Sequence, residues 1–286
     1  MIAWREHLGP PWYGVDDATL RALEIHEARV DALGPSRELV DLDDALALFD
    51  GDDPDPFFNR LGAIRWPTEP AAFDARIEAV LHLFESRQRQ PYLWLPAGFV
   101  SPPDLPERLR SRGFVEVGGG ARLMLHVRDP RAGAIRPLPP GASLERLTAD
   151  GPGAVATEAR AAAAIVAEAF GVSADRCRSL ALEIAADLRD PTTDVRLIRV
   201  DGVPAAVGRR HGVDGMSYLS AIGVRADYQG LGLGEAVTRA LVEEALAAGH
   251  ELVYLGVYAE NERATRMYQR VGFANLGGIA AEYLLP

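Results

Sequence analysis

A chain of 286 residues with 48% hydrophobic and 25% charged residues has the makings of one large or two ordinary soluble domains with a substantial core. Its net charge of -11 argues against nonspecific binding to nucleic acid or to anionic lipid, and suits a cationic or neutral amine as partner. No segment approaches the roughly 20 apolar residues that span a bilayer, and all 30 basic side chains are arginine, which excludes lysine Schiff bases, lysine general bases and lysine-bearing phosphate loops.

The chain start, Met1 to His7, lacks a basic stretch followed by an apolar run, so no signal peptide is expected. Cys177 is the single cysteine and leaves no intrachain disulfide, which fits a cytoplasmic setting. Patterning in the first half predicts a helix over 18–33, a strand over 57–66, a helix over 70–88, a strand over 92–95, a helix over 105–112 and strands through 127. A Pro/Gly-rich run over 129–141, with Pro139 and Pro140 adjacent, cannot lie inside a helix or a central strand. It reads as a linker over 131–141 between a domain of residues 1–130 and a domain of residues 142–286.

The second half alternates cleanly. A strand over 142–147 precedes an alanine-rich helix over 157–170, and Ser173 can cap a second helix running to 188. Strands over 194–200 and 203–210 flank Asp201-Gly202, a two-residue hairpin signal. A strand over 216–224 leads to a helix over 233–248, with Leu233, Val237, Leu241 and Ala245 on one face and Gly249 as its stop. A strand over 251–257, a helix over 261–271 and two final strands complete a mixed α/β order.

The chemistry is concentrated between the strand ending at Val224 and the helix starting at Leu233. Gln229, Gly230, Leu231, Gly232, Leu233, Gly234 and Glu235 form a glycine-rich turn whose backbone N–H groups can converge on an anion, with the following helix adding its positive dipole end. A dinucleotide fingerprint, G-x-G-x-x-G, fails here: its third glycine would fall on Glu235 or Val237. The spacing that fits is Q-x-x-G-x-G, a pyrophosphate cradle; a tight turn without a ligand is the plainer alternative.

About 30 residues on stand Asn261, Ala264, Tyr268, Gly272 and Phe273. Together the two segments resemble the GNAT family of acetyl-coenzyme A-dependent N-acetyltransferases over most of residues 142–286. Val224 matches the family's valine before the loop, Gln229 to Gly234 its pyrophosphate loop, and Asn261 to Phe273 its N-x-x-A-x-x-x-Y-x-x-x-G-F helix. The resemblance implies that the backbone of Ile222 and Val224 pairs with the pantetheine arm, that the amides from Gln229 to Glu235 hold the pyrophosphate, and that Asn261 orients the pantetheine end. It implies that Tyr268 gives a proton or a hydrogen bond to the leaving thiolate, and that transfer to an amine is direct, within a ternary complex. A small-molecule amine is the expected acceptor; the alternatives are a protein or peptide amine, or a non-catalytic sensor of acyl-coenzyme A. Many members carry a basic glutamate six residues before the valine. Here that place is Tyr218, and 216–224 contains no acidic residue, so Glu260, His211, Tyr218 or a water chain remain as the base.

Other residues read plainly. Cys177 shares a helix face with Ala181 and Ile184 and reads as a small buried hydrophobe. The six histidines show no metal-ligand spacing, so no metal is expected. In the first half, Gly113-Phe114 echoes Gly272-Phe273, but Leu109 takes the place of Tyr268 and Pro102 that of Asn261. Pro67-Thr68-Glu69-Pro70 stands where a glycine loop would. The first domain is expected to repeat the acetyltransferase fold, a mixed and mostly antiparallel sheet flanked by helices, without a cofactor site; an unrelated α/β domain with a chance Gly-Phe pair is the plainer alternative. That leaves it a structural role, covering the acceptor cleft or shaping a homodimer.

Overall fold

Both halves of the chain lay down a parallel strand–helix–strand unit followed by a helix and a further strand. The structure, a computed structural model, describes residues 15–95, 100–127, 136–148, 151–276 and 278–286. The chain start and residues 131–135 of the expected linker lie outside these.

In the first half, α1 (Asp17–Asp31) precedes β1 (Arg37–Asp41), β2 (Leu46–Asp50), β3 (Arg60–Gly62), α2 (Pro70–Ser86), β4 (Tyr92–Leu95), α3 (Leu105–Ser111) and β5 (Val115–His126). The second half runs β6 (Ala142–Arg146), α4 (Pro152–Phe170), α5 (Ala174–Asp187), β7 (Thr193–Val200), β8 (Val203–Val213), β9 (Met216–Val224), α6 (Leu233–Ala247), β10 (Leu252–Tyr258), α7 (Glu262–Val271), β11 (Phe273–Asn275) and β12 (Ala280–Leu284). Caps set the helix starts: Asp16 accepts from the Thr19 N–H at 2.7 Å, and Ser173 from the Arg176 N–H at 3.1 Å.

Two differences from the sequence reading have local causes. The strand expected over 57–66 shrinks to Arg60–Gly62, because Pro56 lacks an N–H and the Asp55 carboxylate takes the Phe57 N–H at 2.9 Å, folding Pro56–Phe58 into a 3-10 turn. The hairpin of β1 and β2 had no strong turn signal; Asp43 adopts a left-handed φ of 66° there, with its N–H on the Asp41 carboxylate.

The chain packs as two compact units that are not contiguous in sequence. The first comprises residues 1–123, 257–261 and 275–286, the second 124–256 and 262–274. This differs from a single cut at 131–141. The physical reason is β12: it pairs antiparallel with both β4 and β5, so the chain's last strand fills the slot between two strands of the first unit.

Strand order in the first unit is β1-β2-β3-β4-β12-β5, antiparallel except for β3 and β4. Trp66, Phe73, Phe84, Leu93, Leu109 and Tyr283 are central to its core. The second unit runs β10-β9-β8-β7-β6, again antiparallel except for β9 and β10, the two strands that flank α6. Both sheets are thus mixed and mostly antiparallel. In the second, α4 and α5 cover one face through Ile165, Val166, Leu180 and Ile184 against Val195, Leu197 and Val207. The neighbouring β8 residue points the other way. It is Gly208, where a Cβ would lie 2.5 Å from Val237 Cγ1, so α6 sits on the sheet closely enough to demand glycine. Among the described residues no helix is long and apolar enough to cross a membrane.

Removing residues 276–286 takes β12 from between β4 and β5. The truncated chain is expected to lose the cooperative thermal transition of the first unit, which differential scanning calorimetry would register.

Candidate active site

The site begins where β9 leaves its neighbours. Opposite β8, Val207 pairs with Gly223 and Arg209 with Ser220, so Ala221 and Ile222 together face Gly208. This is a β-bulge, in which Ala221 takes a left-handed φ of 51°. A bulge bends its strand and sharpens its twist. On the other flank, pairing of β9 with β10 runs from Met216 to Leu219 and then stops. Residues 220–224, which include Ile222 and Val224, continue beyond that ladder.

The chain then turns sharply. The Arg225 N–H donates to the Ala205 carbonyl at 2.9 Å. Glu168, near the end of α4, accepts from the Ala226 N–H at 2.8 Å and from Arg225 Nε at 3.0 Å. These two bonds, the amide first, hold its carboxyl below the usual range. Gly230 and Gly232 follow with φ of 85° and 81°, a region that costs other residues about 1–2 kcal/mol. A Cβ at Gly230 would meet nothing within 4 Å. Leu231 between them is exposed.

Helix α6 starts at Leu233 with no side chain capping it. Its first backbone bond runs from the Ala236 N–H to the Gly232 carbonyl, at 3.0 Å. The N–H groups of Leu233, Gly234 and Glu235 therefore have no partner within the helix and sit at its positive end. Glu235 would repel an anion if its carboxylate faced the same way. Instead that carboxylate is buried, bonded to Arg239 at 3.0 Å and to Arg270 at 3.2 Å. Only its backbone is offered to the loop.

Three elements meet at the loop. A Cβ on Gly234 would lie 3.4 Å from Val224 Cγ2 and 3.7 Å from Met267 Cε of α7. Gln229 accepts from Arg263 Nη1, also on α7, at 2.6 Å. Tyr268 is buried, edge-on to Phe273 with centroids 6.0 Å apart. Burial pushes its phenol above the ordinary value. Among the described residues its hydroxyl makes no side-chain hydrogen bond. Asn261 is exposed, its N–H on the Tyr258 carbonyl at 2.9 Å, and it falls among the residues of the first unit.

The candidate bases sit in different settings. Tyr218 stacks at 5.1 Å on Tyr254, with its hydroxyl 3.7 Å from where a Cβ on Gly256 would lie. His211, its register partner on β8, is buried with Nε2 3.4 Å from Asp187 Oδ1. Asp187 also takes Arg209 at 2.8 Å. Burial alone would raise the Asp187 carboxyl; Arg209 and His211 outweigh it and hold it below the usual range. His211 is thus engaged with the Asp187 carboxylate at the end of α5. Glu260 is exposed in the first unit, 3.8 Å from the Cβ position of Gly119. No group of three metal-binding side chains occurs among the described residues.

Comparison with known proteins bears on this arrangement. Residues 161–273 match the model of the acetyltransferase (GNAT) family, a span that contains the bulge, the loop, α6 and α7. The chain carries a GNAT acetyltransferase domain. A mycothiol acetyltransferase of Actinosynnema mirum is 37% identical over 82 residues, covering 27% of this chain and 27% of that protein. The chain thus spans about a quarter of the length of this curated relative. A GCN5-related N-acetyltransferase from Kribbella flavida shares the fold across 92% of this chain and 94% of its own, at 23% identity and a TM-score of 0.67. A tandem GNAT protein from the clavulanic acid biosynthesis pathway does so across 90% and 85%, at 15% identity and a TM-score of 0.59. The shared fold therefore extends well beyond the GNAT domain's matched segment.

In the first unit, the helix between the parallel strands is α2, and its N-terminus is occupied by the protein itself. Glu69 accepts from the Ala71 and Ala72 N–H groups at 3.1 and 2.8 Å, and Pro70 has no N–H to offer. Leu109 is fully buried in the core. Sequence reasoning about the GNAT domain missed Arg263 and Glu168, whose parts depend on contacts across elements.

Asp187 gives the domain a pH signature. Its folded value lies below the ordinary 3.8, so its contribution to stability is complete above that value and disappears as pH falls further. Melting temperatures between about pH 5 and pH 3 are expected to fall more steeply for the wild type than for Asp187→Asn, which starts lower at neutral pH.

Proposed function

We propose that this protein transfers an acetyl group from acetyl-coenzyme A to the primary amine of a small molecule, by direct attack within a ternary complex. The observation that carries the reading is the uncapped α6 N-terminus, opened by Gly230 and Gly232 and set against α7, which bears the buried Tyr268. The loop fits a pyrophosphate: left-handed glycines, free amides, and an acidic side chain turned away and neutralised. The β9 edge beyond Leu219 suits an added strand-like partner such as a pantetheine arm, with Ile222 and Val224 supplying peptide groups. Asn261, directly before α7, would orient the arm's end.

In this reading the neutral amine forms the new N–C bond as the C–S bond of the thioester breaks, and the amine proton leaves to a base or water. Amines titrate at about 10, so the free base must be generated in the site. Tyr268 stabilises the departing sulfur. Its raised phenol is a weaker acid than a thiol of pKa about 8.5, so it donates a hydrogen bond to the thiolate rather than surrendering its proton. The name of the Actinosynnema relative supports a small-molecule acceptor of the mycothiol kind. Glu69 on α2 and Leu109 in the core support a first unit without a cofactor site of its own, hence one active centre per chain.

Tyr218 in place of an acidic residue on β9 favours one second reading, a non-catalytic sensor of acyl-coenzyme A. Thiol release measured across a panel of amines separates the two: tight acetyl-coenzyme A binding without turnover on any amine selects the sensor.

Tyr268→Phe is expected to lower kcat by about 10²-fold while leaving the Kd for acetyl-coenzyme A within about two-fold, as for the loss of one donor to a developing charge. An undiminished kcat in the thiol-release assay removes Tyr268 from the chemical step. Gly232→Val strains a φ of 81° in the cradle and is expected to abolish acetyl-coenzyme A binding by calorimetry with the circular dichroism spectrum retained; normal binding sinks the cradle assignment.

A further inference from the structure

The described end of the Pro/Gly-rich run, residues 136–141, is held at both ends. Pro137, Pro139 and Pro140 fix φ at three positions. The Ala142 N–H closes a turn onto the Pro139 carbonyl at 3.1 Å, and the Gly141 carbonyl accepts from the Asp201 N–H at 2.9 Å. Gly141 has a φ of 77°, and a Cβ there would collide with the Asp201 carboxylate, so the run is seated closely on the β7–β8 turn. At its other end, Arg136 Cδ lies 3.4 Å from the point where a Cβ on Gly232 would be. The Arg136 stem therefore rests on the glycine loop.

Its pairing distinguishes this arginine from many others of the unit. In the same unit Arg146, Arg196, Arg199, Arg209 and Arg239 each bond a carboxylate. Arg136 is exposed and has no carboxylate partner among the described residues. Arg263, which reaches the loop from α7, likewise bonds the Gln229 amide rather than an acid. In a chain of net charge -11 acids are plentiful, yet none among the described residues pairs with this guanidinium. An uncompensated positive group beside free helix amides is the arrangement that an oxyanion completes, and the planar fork of arginine suits phosphate.

We propose that Arg136 is a phosphate-binding residue: carried on a proline-stiffened strap, its guanidinium closes the glycine loop over the pyrophosphate of the coenzyme A moiety. This rests on the cofactor reading above. Residues 136–141 thereby become part of the site, and their prolines keep the guanidinium near the loop before the ligand arrives, lowering the ordering cost of binding.

The test is calorimetry of acetyl-coenzyme A binding to the full chain, with Arg136→Ala and Arg136→Lys, at low and high salt. S-acetylpantetheine, which lacks every phosphate, serves as control acyl donor. Arg136→Ala is expected to raise the Kd for acetyl-coenzyme A about ten-fold, Arg136→Lys to recover part of the loss, and the gap to narrow as salt screens the contact. The KM for S-acetylpantetheine is expected to stay the same in wild type and Arg136→Ala. An unchanged Kd in Arg136→Ala overturns this inference alone, as does an equal loss with S-acetylpantetheine. A wild type that binds no acetyl-coenzyme A overturns the cofactor reading, and this inference with it.

Discussion

The candidate site depends on one interruption: β9 stops pairing with β10 after Leu219 and Leu255, just before the bulge at Ala221 and Ile222. A strand in the middle of a sheet normally spends its peptide groups on its neighbours. By bending away, β9 keeps residues 220–224 beyond the β10 ladder and delivers the chain to the glycine turn at the head of α6. Everything that follows needs this geometry to be rigid. Gly208 lets α6 press onto β8, Glu168 braces the turn at Ala226, and Met267 of α7 reaches Gly234.

Electrostatics then decides what such a loop can hold. A helix start offers positive potential in every protein, but it is available only when nothing local fills it. The two units resolve this in opposite ways. At α2 a glutamate and a proline occupy the helix start; at α6 two left-handed glycines leave the amides open, and the Glu235 carboxylate is locked between Arg239 and Arg270. The same strand–helix–strand order can thus serve as scaffold in one unit and as candidate anion site in the other, with a handful of residues making the difference.

The chain path adds a constraint of its own. β12 completes the first unit's sheet after the chain has passed through the second, so the first unit cannot form its full strand ladder until the chain's last residues are in place. A cut placed by composition at the Pro/Gly-rich run could not show this, since β12 is a short strand with no local sign of its partner. The run itself looked like a spacer because prolines and glycines punctuate chains; only the contacts of Gly141 and Arg136 show it seated on other elements.

By itself the sequence determined the mixed α/β order and the helix and strand positions of the second half, which depend on side-chain periodicity, caps and glycine φ, all set within a few residues of one another. The pairing of the glycine loop with the Asn-Tyr helix was legible only as a family resemblance. The tertiary structure alone decided the bulge, the end of the β9–β10 ladder, the withdrawal of the Glu235 side chain, the commitment of His211 to Asp187, and the placing of Arg136 on Gly232. Each of these is a contact between residues distant in the chain, and no local pattern encodes which distant group a side chain will meet.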